Sequence, residues 1–465
     1  MVVGGASTVL ARALSYDAWG WLLWGQEIVG GRRFTTDGYP TWKPLTGLIA
    51  AVITPLGDAA PFLWLVIARA GALMALFLAY RLASRLAGPT AGVLAALALL
   101  IVPEWLFQSG VGGSEPLLTA LLLGAVVRHA DRHDLQGFAL VMLASLLRPE
   151  SWPLMLASAV LAWRRSPRSR PVIAASLAAI PVLWFGGEYL GSGDPFRGGQ
   201  LAKTTQEAVR LRRIWALPGV GVLDIGWRVV PLPLLLCAPV AFVHVFRRWD
   251  AIVLSLGLGA FIWIAEVAVL AQLGYAGVTR FLFPAAAGLA VVGAVGLVHL
   301  LRSPRVAPAA RVALIVAAVA LALPSAPHAL ALGRAAQRVH DRARLDHAVS
   351  VIVGRVGRGT FLAGRHVVAQ GETITPLAWR LDAPAESLKH PRLPGLALAD
   401  ARQPWSVFRR ALSRGGARFT TRTVASEWSL RLISVELRPR DLQPLRGISS
   451  TACGRAARCT RSARR

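Results

Sequence analysis

Five places in the sequence set an ionisable side chain where polar chain turns abruptly apolar. Residues 15–28 read SYDAWGWLLWGQEI, with Asp17 just ahead of Trp19, Trp21 and Trp24. Lys43 stands in YPTWKPL, Glu115 in GGSEPLLTALLLGA, Arg148 and Glu150 in LLRPESWP, and Arg280 in GYAGVTRFLFPAAAG. A carboxylate within reach of a hydroxyl can take its proton as that hydroxyl attacks. Fixed cations can hold negative charge that grows on a departing group, and arginine grips phosphate with two parallel N–H groups. Each residue also has a plainer reading. Asp17 can cap a helix, whose first N–H groups lack partners. Glu115 can open one, with Ser114 as N-cap and Pro116 in the first turn. Arg148 and Glu150 can pair with each other at a helix break, and Arg280 can snorkel to the lipid boundary. Lys43 resists such a reading. It is one of three lysines, with Lys203 and Lys389, against 48 arginines, and codon drift in a GC-rich genome would favour arginine there.

The elements that must position these residues follow from composition. The 465-residue chain is 55% hydrophobic and 16% charged, against about 25% charged in average soluble domains. Long apolar runs recur near 62–83, 90–109, 115–130, 135–149, 151–164, 170–190, 229–247, 251–273, 281–301 and 310–330. With a first span before Asp17 they predict about eleven transmembrane helices. Residues 1–14 are too short for a full span and lack a signal peptide's charged start and cleavage site, so a first helix truncated by a late start is the expectation. Short basic connections at 81–85, 128–134, 163–170, 246–250 and 302–311 read as cytoplasmic. The other connections, with all five ionisable positions, then face outward at one level. Residues 15–60 form one outer loop in which two helices, one around 15–28 and one after YPTWKPL, lie along the membrane surface. Asp17, Trp21, Trp24 and Ile28 share a face there.

After residue 331 the chain changes character, with a net charge of +16 within a total of +27. Residues 331–438 read as a small extracytoplasmic α/β domain: a helix over 334–356, then strands in GTFLAGR and in the run RFTTRTVASEWSLRLISVEL, which alternates around Glu427. Residues 439–465 read as a basic, disordered tail. Its Cys453 and Cys459 can pair in an oxidising compartment, whereas Cys237 lies in an apolar run. Basic charge beside a membrane meets anionic headgroups, and no finger, basic-zipper or RNA-binding signature points to nucleic acid. The fold class is therefore an all-α polytopic membrane domain over 1–330 with a small C-terminal α/β domain.

The order of these motifs resembles the GT-C glycosyltransferases. These include protein O-mannosyltransferases, aminoarabinose transferases and actinobacterial cell-wall arabinosyl- and mannosyltransferases. The resemblance covers residues 15–330 and rests on Tyr16-Asp17, YPTWKPL, Arg69 at the opening of the second span, SEPLLTALLLGA, LLRPESWP and TRFLFPA. The chain departs from the family in having no adjacent acidic pair in the first loop, and in placing Lys43 where the family has a Pro-Pro context. The resemblance implies a polyprenyl-phosphate sugar as donor and an extracytoplasmic glycan, lipid or protein as acceptor, joined by an inverting displacement in the plasma membrane. On that reading Asp17 is the base, and Glu115 orients a substrate or acts as a second acid. Lys43, Arg148 and Arg280 hold the donor phosphate. Tyr39, Trp21, Trp24 and Trp42 shape the entrance for lipid and stack on sugar. No tight metal site is expected, although a weak divalent ion can bridge the phosphate. A transporter or flippase of a lipid-linked intermediate would also gather charge near the outer face, but the chain shows no internal repeat. A membrane scaffold whose working part is the outer domain is the third reading.

Overall fold

The computed structural model describes residues 11–31, 34–36, 39–246, 250–304, 306–322, 326–362, 366–369, 371–389, 395–400 and 419–437. The chain forms two compact units, 1–343 and 344–465. The expected first span falls mostly on residues 1–10, and the basic tail wholly on 438–465; both lie outside the described residues.

The first unit is helical. Helix α1 spans Tyr16–Val29 and α2 spans Pro44–Ile53. A 3-10 turn, Thr54–Ala59, leads into α3, Ala60–Ala87; Gly57 within it sits at φ +59°, in the region that glycine enters without strain. Helices α4 (Pro89–Leu100) and α5 (Pro103–Gly110) meet at a 72° bend, where one span was expected. Pro103 lacks the N–H that a continuous helix would use and holds Val102 extended, so the helix ends and restarts. Then come α6 (Glu115–Ala130), α7 (Asp134–Ser145), α8 (Trp152–Arg165) and α9 (Arg170–Ser192). Three short helices follow: α10 (Arg197–Lys203), α11 (Gln206–Ile214) and α12 (Pro218–Gly226). Helices α13 (Leu232–Phe246), α14 (Ala251–Gln272), α15 (Phe283–Arg302), α16 (Pro308–Ala322) and α17 (Ala326–Val356) complete the helical series.

Among the described residues, four helical stretches are long and apolar enough to cross a membrane, or five with the bent pair counted as one span. The expected count of about eleven is not reached by this measure. Helices such as α6, α7, α8 and α13 have 16, 12, 14 and 15 residues, short of the roughly 20 that a bilayer core asks for. The core of the unit lies around α15, whose Phe283 and run of alanines, glycines and valines are almost wholly buried. Gly293 and Gly296 let α15 approach the backbone of α13 at Leu234 and Cys237, where a Cβ would collide.

The segment 15–60 departs from the surface-helix expectation. Trp19, Trp21 and Trp24 are 4%, 1% and 0% exposed, so α1 is packed into protein and does not rest its tryptophans in lipid. Trp21 meets Trp64 of α3 edge-on, with ring centres 5.1 Å apart, and Trp24 meets Trp42 in the same way at 4.9 Å. Of the face expected from helical spacing, only Ile28 is exposed. Close approach explains the burial: a Cβ at Gly25 would stand 2.6 Å from the backbone of Ala50 in α2. Arg69 ties the segment down further, donating to Ala11 O (2.7 Å) and to Gly110 O (3.1 Å), while Ser15 N–H donates to Val111 O (2.9 Å). The chain entering α1 and the turn entering α6 are thereby held side by side.

At the other end of α6, about 20 Å away at 1.5 Å per residue, His129 joins Asp134 (2.8 Å) and Ser158 (2.7 Å). Arg165 adds a contact to Asp134 at 3.2 Å. This knot links α6, α7 and α8.

The second unit carries helix α18 (Arg358–Leu362), strand β1 (His366–Ala369), helix α19 (Ile374–Leu381), and strands β2 (Gly395–Asp400), β3 (Phe419–Glu427) and β4 (Leu430–Leu437). The sheet order is β1-β2-β4-β3, with β1 parallel to β2 and the rest antiparallel. The expected strand in GTFLAGR is corrected. Gly357, at φ +81°, ends α17, and the chain takes a further helical turn that buries Phe361 before β1 begins at His366. The expected helix over 334–356 is the latter part of the longer α17, and the two units divide at Ala343 rather than at 331. Val339 shows why: it packs with Ala13 and Val111 of the first unit.

Because α1 and α2 touch through glycine, Gly25→Val should push them apart at a cost of about 1–3 kcal/mol. The expected result is a lower melting temperature for the purified chain in detergent. An unchanged melting curve would show that the two helices are not in contact.

Candidate active site

Helix α1 begins at Ser15, whose Oγ accepts from Ala18 N–H at 3.2 Å. The cap is therefore serine, and Asp17 is left in the first helical turn with its carboxylate uncommitted. It is half-buried and, among the described residues, has no hydrogen-bond or ion-pair partner. It lies close enough to Lys43 and Arg280 to attract both.

Lys43 is the N-cap residue of α2, held extended (φ −135°, ψ 110°) before Pro44, which opens the helix. Its carbonyl accepts from Thr46 Oγ1, and Leu45 N–H donates to Leu146 O, so the backbone on both sides is fixed. The ammonium donates to Ser114 Oγ at 2.9 Å, lies 3.8 Å from Glu115 Oε1 and stands 5.0 Å above the Trp21 ring. Ser114 thus serves Lys43 and makes no side-chain cap for α6. Burial pushes the Lys43 ammonium below the ordinary lysine range, with Glu115 opposing the fall and Arg148 adding to it.

Arg148 is also extended (φ −149°, ψ 132°) ahead of a proline, at the break between α7 and α8. Its Nε donates to both oxygens of Glu150 at 3.2 Å, Nη2 donates to Glu150 Oε1 at 2.6 Å, and Nη1 reaches Glu115 Oε1 at 3.3 Å. The guanidinium carbon lies 3.6 Å from the centre of the Phe281 ring. Arg148, Glu115 and Glu150 are 8%, 4% and 6% exposed. Charges so deep are tolerable only when paired and hydrogen-bonded in this way. The plain reading of Arg148 with Glu150 holds, and the network extends through Glu115 to Lys43.

Arg280 approaches the same ring, 5.3 Å from its centre, from a short 3-10 turn ahead of α15. Its Nη2 pairs with Glu207 Oε2 of α11 at 3.0 Å, while its Nε is buried with no partner. Helix α11 is held by its own N-cap, Thr205 Oγ1 accepting from Ala208 N–H.

Five expected residues are therefore brought together: Asp17, Lys43, Glu115, Arg148 and Arg280. Trp21 joins them beneath Lys43. Trp24, Trp42 and Tyr39 do not line this cluster. They pack on one another, with Tyr39 OH donating to Glu27 and Trp42 Nε1 donating to Leu183 O at 3.0 Å. All three are at most 7% exposed, which leaves them no open face for sugar or lipid. Sequence reading missed Glu207 and Phe281, and it gave Ser114 a capping role where the hydroxyl instead accepts from Lys43. It also missed Glu27 and Glu188. Glu27 accepts from Thr35 N–H (3.1 Å), and Glu188 accepts from Thr36 Oγ1 (3.0 Å) and Trp42 N–H (3.1 Å), so together they clamp the segment that delivers Lys43. Phe281 could have been suspected from its place beside Arg280. Glu207 had no such signal, since it sits in an irregular, arginine-rich connection. Among the described residues no three His, Cys, Asp or Glu side chains gather as a metal cage.

No family model and no curated protein matches the chain. Solved structures do. ArnT from Cupriavidus metallidurans in the apo state superposes with a TM-score of 0.55 at 13% identity, covering 93% of this chain and 96% of that one. The same protein bound to undecaprenyl phosphate gives a TM-score of 0.52 at 12% identity, with the same coverage. A likeness spanning nearly the whole of both chains identifies the architecture: this chain has the GT-C fold.

Proposed function

We propose that the chain is a membrane glycosyltransferase that moves a sugar from a polyprenyl-phosphate donor to an acceptor hydroxyl outside the membrane. The observation that carries the reading is Asp17, an uncommitted carboxylate beside Lys43 and Arg280, in a fold shared with a protein crystallised with undecaprenyl phosphate. A base and a phosphate-holding cation set are the two things such a transfer needs in one place.

The acceptor oxygen attacks the anomeric carbon as the bond from that carbon to the phosphate oxygen breaks. Asp17 takes the acceptor's proton. The electron pair of the broken bond stays on the polyprenyl phosphate, whose added negative charge falls to Lys43 and Arg280. A single displacement inverts the anomeric centre. Arg148 is too deeply engaged with Glu115 and Glu150 to move toward substrate, and it supports the phosphate site as a fixed charge. Glu115, which bridges Lys43 and Arg148, positions the cations; a second-base role is not needed. The donor sugar is a hexose or pentose, with mannosyl and arabinosyl donors the first to assay. The acceptor is a cell-wall glycan, a lipid or a protein, and the C-terminal unit belongs on the same outer side.

The decisive assay is transfer of radiolabelled sugar from polyprenyl-phosphate donors in membranes. Asp17→Asn should lower transfer by about 10²–10⁴-fold at unchanged abundance, the usual reach of a positioned base. Equal rates for wild type and variant would end the base assignment. The rate should also fall at high pH as the Lys43 ammonium deprotonates, and this limb should begin below the ordinary lysine range of about 10.4. Lys43→Arg keeps its charge across that range and should remove the limb. A limb that survives the substitution would belong to another group.

A further inference from the structure

Three cations in the cluster, Lys43, Arg148 and Arg280, face four carboxylates, Asp17, Glu115, Glu150 and Glu207. No net positive charge is left over to receive a phosphate. Swinging one carboxylate away brings the cluster to three charges of each sign and so eases the entry of an anion. The settings of the carboxylates differ. The Glu115 and Glu150 side chains are 5% and 7% exposed and locked to Arg148 by several hydrogen bonds. Asp17 has no direct partner to release. Glu207 is 43% exposed, touches the cluster only through Arg280, and sits on a short helix whose buried anchors are Ala208 and Leu211. It can turn outward into water at little cost, because an exposed carboxylate keeps most of its hydration. Arg280, for its part, is incompletely satisfied. Glu207 occupies Nη2, while the buried Nε–H has no acceptor. A tetrahedral phosphate can offer oxygens to both N–H groups, which one carboxylate at this position does not.

We propose that Glu207 is an exchangeable counter-ion for the donor-phosphate site. It neutralises Arg280 while the site is empty, is displaced when the phosphate of a polyprenyl lipid binds, and returns to Arg280 as the spent polyprenyl phosphate leaves. This rests on the donor-phosphate reading of Arg280 above. Glu207 is a positioning residue that acts through Arg280 and does not touch the reacting atoms. It lowers affinity for the lipid phosphate and speeds release of the product.

The test measures binding of undecaprenyl phosphate to the full-length chain in detergent, with undecaprenol as the uncharged control. Glu207→Gln should bind undecaprenyl phosphate about fivefold more tightly than wild type, the upper reach of a partly exposed ion pair, and bind undecaprenol unchanged. Glu207→Ala should behave the same way, and Glu207→Asp should stay near wild type. In an Arg280→Gln background, which itself binds more weakly, removing Glu207 should have no further effect. In steady-state transfer, Glu207→Gln should lower KM and kcat together, as expected when product release slows. A residue that merely braces α11 would not tighten binding when removed. If Glu207→Gln and Glu207→Ala bind undecaprenyl phosphate no more tightly than wild type, or tighten undecaprenol equally, the counter-ion assignment is overturned and the donor site stands. If wild type does not bind undecaprenyl phosphate, or Arg280→Gln binds it as well as wild type does, both readings fall.

Discussion

The arrangement depends on one buried ion network, Arg148 held between Glu115 and Glu150 over the face of Phe281. Charges this deep tolerate few geometries, since any rotation that loses a hydrogen bond leaves an uncompensated ion out of water. The network therefore fixes the head of α6, the break between α7 and α8, and the turn before α15 relative to one another. Lys43 attaches to the same frame through Glu115 and Ser114. The segment that carries Lys43 is thus tied to this buried network. Rigid cations suit the proposed reaction, because charge that is already in place costs no reorganisation as the leaving group develops.

Asp17 is supported in a different way. Its helix is held by tryptophan packing, by the close approach at Gly25 and by the Arg69 contacts to Ala11 and Gly110. None of these engages the carboxylate. The helix is over-determined while the acid stays uncommitted, and a group meant to exchange a proton needs both conditions. The capping role that could have occupied Asp17 has been taken by Ser15.

Much of this was legible in the sequence, for identifiable reasons. Asp17, Lys43, Glu115, Arg148 and Arg280 were found because each sits where an apolar run begins or ends, and such boundaries gather at one level when spans pack side by side. The bend at Pro103 and the strand misread in GTFLAGR lie beyond local pattern, because each is decided by a single backbone constraint, at Pro103 and at Gly357. The aromatic residues were misjudged for another reason. Tryptophan suits both a membrane boundary and a protein interior, and only the neighbours, here Trp64, Tyr39 and one another, decide. Glu207 and Glu188 were missed because their partners lie far off in the chain, Arg280 in one case and Thr36 with Trp42 in the other.

Helix α6 is fastened at both ends, by Glu115 to Arg148 and Lys43 at its head and by His129 to Asp134 and Ser158 at its foot. A strut pinned at each end can neither slide along its axis nor roll about it. Bilayers of different thickness press on membrane helices by tilting or shifting them. In this fold such pressure meets a fixed α6, and it acts instead on helices with broad apolar exposure such as α16, where Val312, Ile315, Val316 and Val319 are all exposed and Arg311 ties only the start to Ser303 O and Val306 O. A change of membrane thickness is then expected to leave the pairing of Glu115 with the cations it organises in place.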